Sequence, residues 1–326
     1  MIHWESHACL RLHPKADFSP IEQLHAAGVH YVSINVGMDM NPLSQVMSVI
    51  AGFSATIAAR PDLYVMASQV ADIEQARASG RIAIGFDLEG AMPLLEQPEM
   101  VAVYARLGVR QMHLAYNRNN SVAGGCHDEE QGLTALGHRV VAAINAAGIL
   151  MDCSHTGRRS SLDIMAASGK PVIFSHSNPD ALVAHGRNVT DAQIRACAAT
   201  GGVTCVSGVS LFLGTKTPTA RDVARHAAYV ADLVGVAHTG IGLDICFAQP
   251  GLDDTPPGDY DPGYWWPAKY TGYERGTVRA TFTPVDTWRL LPAALQEVGM
   301  TAEEAGLVMG GNMMRVAGQV WPSLSH

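Results

Sequence analysis

Residues 151–191 read MDCSHTGRRSSLDIMAASGKPVIFSHSNPDALVAHGRNVTD, and this stretch decides the fold. It holds two units of one kind, back to back. A short apolar run, GILMDCSH, closes on His155; a second, PVIFSH, closes on His176. Between them RRSSLDIMAASG has helical composition and stops at Gly169. Strand, crossover helix and strand set the two strand ends side by side at one edge of a parallel sheet. Two imidazoles then face one cavity, where ligands and metals sit in parallel α/β folds. A single histidine at a strand end reads equally well as an ordinary hydrogen-bonded residue. Two at matched positions favour a metal, since imidazole ligates zinc and its neighbours well.

The pattern continues on both sides. Strand-like runs (HACLRL, HYVSINVG, LYVMAS, RIAIGFDLEG, VRQMHLAY, GVTCVS, TGIGLDIC) alternate with helix-like ones. SPIEQLHAAG reads as a helix capped by Ser19 and stopped by Gly28. TAEEAGLVMGGNMMRVAGQV reads as one helix near the C-terminus. Roughly eight strand–helix pairs predict an α/β fold of the TIM-type (β/α)8 barrel class, in a single domain over residues 1–326. An open doubly wound sheet is the alternative, but the chain carries no GxGxxG or GxxxxGK[ST] loop.

Composition narrows the function. The chain has 326 residues, 48% of them hydrophobic, with a net charge of −8 and both signs mixed along its length. Neither nucleic acid nor an anionic membrane is an expected partner. No apolar run reaches a membrane span, and MIHWESHACL lacks the regions of a signal peptide. Six scattered cysteines without a CxxC point to a reduced, cytoplasmic protein.

In a barrel, function gathers at the carboxyl ends of the strands. There the chain places His7 and Cys9, Asp87 and Glu89, Tyr116 and Asn117, His155, His176 and Asp244. Alternate residues of a strand share a face, so His7 and Cys9 point into one cavity. Taken one at a time, Glu89 caps a helix and Asp244 starts a turn. Taken together, imidazoles, carboxylates and a thiol on one rim make a metal site large enough for two ions.

On these residues the chain resembles the membrane (renal) dipeptidase family, zinc hydrolases of the amidohydrolase-like barrel superfamily. The likeness runs from WESHACL to GGNMMRV and is most specific in DCSH, PVIFSHSNP and GRNVTD. It implies His7, Cys9, Glu89, His155 and His176 as metal ligands, with Glu89 bridging one or two zinc ions. It implies Arg187 as the group that binds the substrate carboxylate, which suits a guanidinium fork. Asp244 becomes the catalytic acid–base, and GNMMRV, with Asn312 and Arg315, matches a C-terminal signature. The substrate implied is a dipeptide or an N-acyl amino acid, hydrolysed by metal-bound hydroxide. Two departures stand out. The family's first strand carries His-x-Asp where this chain has His7-Ala8-Cys9, and Tyr116 stands where the family has an imidazole that polarises the scissile carbonyl. Tyr116 is the expected oxyanion donor and substrate contact in its place. Two further readings stay open: a lactone or another amide as substrate, or a metal-poor barrel that binds without catalysis.

Two long loops remain. In NRNNSVAGGCHDEEQG, a solvated acidic loop is preferred to a further metal site. Residues 247–276 hold Tyr260, Tyr264, Trp265, Trp266, Tyr270 and Tyr273. That loop reads as a lid, as a contact between two copies in a homodimer, or as aromatics pinning the loop to the barrel.

Overall fold

The computed structural model describes residues 1–321 except 271, 275, 276 and 279. Residues 322–326 and 279 of the expected domain, and positions 271, 275 and 276 of the expected aromatic loop, lie outside the described residues. The strands are β1 (Trp4–Cys9), β2 (Tyr31–Met38), β3 (Tyr64–Met66), β4 (Ile82–Glu89), β5 (Val109–His113), β6 (Leu150–Asp152), β7 (Val172–Phe174), β8 (Val203–Val206), β9 (Thr239–Ile241) and β10 (Ile245–Cys246). They form one ten-stranded sheet in the order β10-β1-β2-β4-β5-β6-β7-β8-β9, with β3 joined to the start of β4. Every pairing among them is parallel.

The ring closes through a broken strand. β9 pairs with β8 and β10 pairs with β1, and only Gly242, Leu243 and Asp244 separate the two halves. Asp244 has φ 58°, the left-handed region that turns the chain between them. The break is held from inside by Glu5, whose Oε1 accepts from Leu243 N at 2.8 Å and whose Oε2 accepts from Trp288 Nε1 at 3.1 Å. The TIM-type barrel read from the alternation is the fold that forms.

Helices cover the outside because each strand presents alternate faces. On β4, Phe86 and Leu88 join the large apolar cluster shared with the helices, while Asp87 and Glu89 share the opposite, inward face. A second cluster, Trp4, Tyr31, Met313, Val316 and Trp321, packs the C-terminal helix against the barrel. The inner layer is unusually polar. Ser33 Oγ donates to Asp87 at 2.7 Å, and Gln111 Nε2 donates to Asp152 Oδ2 at 2.9 Å. Buried polar groups of this kind persist only when they are satisfied, and they fix one arrangement of the site above them.

Two expectations change. Ser19 is the first residue of its helix rather than its cap, which is Phe18; Asp17, one residue earlier, accepts from Ser19 N. The C-terminal helix is broken into Ala302–Gly306, a wide turn at Leu307–Gly311, and Asn312–Val320. At Gly310 a Cβ would meet Ile2 O at 2.5 Å, so a side chain there is excluded. Asn312 and Arg315 serve the scaffold at this end: Asn312 Nδ2 donates to Val236 O and Thr239 O, and Arg315 donates to Gly201 O and Ala237 O.

Candidate active site

The inward face of β1 carries Glu5, His7 and Cys9. His7 Nδ1 lies 3.1 Å from Asp87 Oδ1; its Nε2 lies 3.3 Å from Cys9 Sγ, 3.6 Å from Glu89 Oε1 and 3.8 Å from Asp244 Oδ1. Glu89 is held by Asn35, whose Nδ2 donates to Oε2 at 2.5 Å. The other oxygen, Oε1, is buried and has no hydrogen-bond donor among the described residues. It faces His155 Nε2 at 3.2 Å and His176 Nε2 at 3.5 Å. Three imidazoles from three strand ends therefore meet one carboxylate oxygen.

His155 sits three residues beyond β6 with φ 63°, and Asn117 beyond β5 with φ 59°. With Asp244, three of the five non-glycine residues at positive φ among the described residues stand at this rim. Backbone strain of this kind survives where the surroundings hold it, often at functional sites. Asn117 Nδ2 donates to Trp265 O at 3.2 Å, which orients the amide and turns Oδ1 toward His155 Nδ1, 2.7 Å away. With its proton on Nδ1, toward Asn117, His155 aims the lone pair of Nε2 at Glu89; Arg187 Nε–H, 3.2 Å from the same Nδ1, competes for that atom. His176 Nδ1 lies 2.6 Å from Ser175 Oγ, which can accept as readily as it donates.

The electrostatics agree with the geometry. Burial, reinforced by Arg187 and neighbouring histidines, pushes His155 well below the usual imidazole range, and burial with His7 does the same to His176. Both stay neutral, the ligating form. Burial opposes protonation of His7, but Asp87, Glu89 and Asp244 overcome it and hold its pKa well above the ordinary value. Burial lifts Glu89 to about 7 and Asp244 to about 6. Carboxylates that resist ionising, two facing lone pairs and an orphaned oxygen all improve together when a cation enters. The donor set fits a metal in two overlapping groups: His7, Cys9 and Glu89, and Glu89, His155 and His176. The ligands expected from the sequence are thus brought to one rim.

The same rim borders a cavity of about 560 Å³, lined by His7, Cys9, Glu89, Tyr116, His155 and Asp244 among others. The Tyr116 ring stacks on that of His155 at 4.2 Å and 23°. β5 ends at His113, so Tyr116 belongs to the turn after the strand rather than to the strand. His113 does not take the place of the absent imidazole: it is fully buried, with Nε2 3.0 Å from Asp152 Oδ2.

Arg187 stands behind the imidazoles. It is 2% exposed, and it donates from Nη1 to Ser177 Oγ at 3.2 Å and from Nη2 to His176 O at 3.0 Å; Nε faces His155 Nδ1 at 3.2 Å. It borders a second cavity, of about 410 Å³, which His155 shares with the first; Phe212, which lines the first, has its ring centre 5.5 Å from the guanidinium carbon. No carboxylate pairs with it among the described residues.

Several site residues carried no motif. Asp39 accepts from Tyr116 N, Asn120 Nδ2 and Met92 N, each at 2.9 Å. Asn35 and Asn117 orient ligands, and Cys246 lines the cavity beside Cys9. A polar residue inside the apolar run HYVSINVG is the signal that could have marked Asn35. In the acidic loop Glu129 and Glu130 are exposed, as expected, whereas His127 is fully buried, with Nε2 3.2 Å from Tyr273 Oη and its ring 4.0 Å from that of Tyr270. The aromatic loop packs on the barrel, one of its expected places: it contains a short helix, Pro262–Trp265, and the start of a hairpin at Tyr273–Glu274, and Trp266 and Tyr273 line the cavity.

A family model described as membrane dipeptidase (peptidase family M19) matches residues 26–256. Dipeptidase verJ of Clonostachys rogersoniana is 34% identical over 182 residues, covering 54% of this chain and 47% of that one. Dipeptidase aclJ of Aspergillus oryzae is 29% identical over 271 residues, covering 80% and 57%. The chain spans about half the length of the curated relatives it matches. Among solved structures, an amidohydrolase from Pseudomonas aeruginosa superposes with a TM-score of 0.85 at 27% identity, covering 98% of this chain and 96% of that one.

Proposed function

The chain belongs to the membrane dipeptidase family, and on that premise we propose that it is a zinc-dependent hydrolase of dipeptides or N-acyl amino acids that bear a free carboxylate. The observation that carries this reading is the meeting of His7, His155 and His176 on Glu89 Oε1, 3.2–3.6 Å away, beside a buried, uncompensated Arg187. The dipeptidases among its relatives support the substrate class.

His7, Cys9 and Glu89 would hold one zinc ion, and Glu89, His155 and His176 the other. Bound zinc supplies two things: it polarises a carbonyl, and it brings the pKa of a water to about 7. The chain's own residues do the rest. Asp244, on its turn at the cavity wall, takes a proton from the attacking water and returns it to the departing amine. The Tyr116 phenol lines the same wall and donates toward the carbonyl oxygen as charge develops there. Burial keeps that phenol protonated well above its usual range, so it remains a donor at neutral pH. Arg187 has five N–H groups; Ser177, His176 and His155 face three, and one on each terminal nitrogen is left for a substrate carboxylate. A buried guanidinium without a counter-charge is costly until an anion joins it.

Metal analysis of the purified protein, with a panel of dipeptides and their amidated counterparts, tests the proposal. Bound zinc and preferential cleavage of free-carboxylate dipeptides are expected. A protein without metal that cleaves none of them would sink it. One observation favours a second substrate class: Cys9 and Tyr116 replace the groups the resemblance leads one to expect at a metal ligand and at the donor to the reacting carbonyl. A lactone or another small amide included in the panel separates the two.

A further inference from the structure

Cys246 has no part in the chemistry above, yet it stands beside Cys9. The two residues are register partners on the parallel strands β1 and β10. The ladder there is tight, with Phe247 N donating to Cys9 O at 2.9 Å. Register partners on neighbouring parallel strands present their side chains to the same face, and both thiols line the same cavity. Their sulfurs and an Asp244 carboxylate oxygen all lie within 4.8 Å of one another. Neighbouring strands run about 4.8 Å apart, inside the Cα separation of about 4.4–6.8 Å that a disulfide bridges.

The remaining thiols are placed differently. Cys153, Cys197 and Cys205 are buried, and Cys126 Sγ donates to Asn117 Oδ1 at 3.4 Å. Cys246 is exposed and Cys9 half-buried, so an oxidant reaches Cys246 first.

We propose that Cys9 and Cys246 form a reversible dithiol–disulfide couple at the mouth of the cavity, with a small peroxide as oxidant. The Cys246 sulfur attacks one peroxide oxygen; the O–O bond breaks, hydroxide leaves, and Cys246 becomes a sulfenic acid. Cys9 sulfur then attacks Cys246 sulfur, the S–O bond breaks, and the second oxygen leaves as hydroxide. The two thiol protons complete two waters. Two thiols lose two electrons and the peroxide gains them. A dithiol reductant reverses the change. The consequence for the site is direct: a sulfur tied to Cys246 is no longer a thiolate ligand beside His7 and Glu89.

The test is peptide mapping by mass spectrometry of the full-length protein, as purified and after chelation, treated with hydrogen peroxide. The expected product is one peptide pair joining Cys9 to Cys246, lighter by two hydrogens, restored by dithiothreitol, and formed faster once metal is removed. Metal content, measured alongside, should fall as the bridge forms and should be retained by Cys246→Ser under the same challenge. Absence of the bridge, its formation between other cysteines, or sulfinic acid on Cys9 while Cys246 stays reduced would each overturn the proposal. The mapped bridge is read without any substrate, so failure of the hydrolase reading and failure of the thiol couple are distinguishable.

Discussion

The Nε2 atoms of His155 and His176 lie 3.0 Å apart. Both rings are neutral, and with the His155 proton at the far nitrogen, toward Asn117, each Nε2 presents a lone pair. Two lone pairs at that separation repel, and the Glu89 carboxylate oxygen in front of them adds to the repulsion. A cation between them reverses the sign of all three interactions.

Loss of either imidazole should therefore empty the position. His155→Ala and His176→Ala are each expected to abolish hydrolysis and lower metal content, read by elemental mass spectrometry beside a dipeptide assay. Full activity in either variant would remove the metal-site reading.

Arg187→Ala separates binding from chemistry. Truncating a buried, charged hydrogen-bonding group costs about 2–5 kcal/mol when its partner is left unpaired. Substrates with a free carboxylate should lose that much in kcat/KM, and amidated ones far less. Equal losses would show that Arg187 braces His155 and His176, which it also touches, instead of anchoring substrate.

Cys9 decides the first metal position. If the thiolate is bound, it resists alkylation, and chelation should expose one newly reactive thiol that maps to Cys9. Cys9→Asp supplies a shorter oxygen ligand and should keep or raise metal occupancy while preserving hydrolysis. Unchanged labelling before and after chelation, with Cys9→Ala matching the wild type in metal content, would make Cys9 a bystander.

Asp244 carries the pH dependence. A free aspartate ionises near ~3.9, and burial lifts this one to about 6. The base form is the deprotonated one, so activity falls as pH drops through the folded pKa. A bound cation moves that midpoint downward, so the acid limb of kcat/KM should lie at or below about 6. Residual turnover by Asp244→Asn should lack the limb. An acid limb unaltered in that variant would assign it to another group.

Asp39 links pH to stability instead. Burial raises its carboxyl to about 6, although Met92, Tyr116 and Asn120 donate to it and oppose the rise. The folded state holds the proton more tightly than the unfolded one, so the stabilisation is complete below the unfolded pKa and is lost as pH rises through about 6. Asp39→Ala strands three donors, two of them backbone, and each buried orphan costs about 1–3 kcal/mol. Thermal melts should show a large drop, and the variant should lose the pH-dependent step between the two values. Gly90→Ala should act through the same residue, because φ at Gly90 is 127° and a Cβ would fall 2.1 Å from Asp39 Oδ1. A wild-type melting temperature in Gly90→Ala would refute that contact.

How much of this was legible follows from what sequence periodicity can carry. Matched strand ends made His155 and His176 readable, and alternation placed His7 with Cys9 and Asp87 with Glu89. The barrel followed from the repeat of strand and helix. The break in the last strand did not, because TGIGLDIC reads as a continuous run and only the left-handed turn at Asp244 divides it. That division sets Cys246 against Cys9, a pairing 237 residues apart that no local pattern encodes. Asp39 was missed for a similar reason, and Asn117 was placed at its strand end without its role: what each does depends on groups delivered by other loops. The aromatic loop was recognised by composition, but its closure over Tyr116, with Trp265 and Trp266 rings each 6.2 Å away, depends on tertiary packing.

The donors to Asp39 come from two stretches of chain, Met92 and the turn that holds Tyr116 and Asn120. Asp39 thus works as a fixed post from which the following loop hangs. The loop is tied down again farther on, where Cys126 N donates to His155 O at 2.9 Å and His127 N donates to Asn117 O at 2.7 Å. A change of length between the two tethers would therefore be felt at His155 and Asn117. The pocket wall here is a span pinned at both ends, and its freedom to vary is left to exposed side chains such as Glu129 and Glu130.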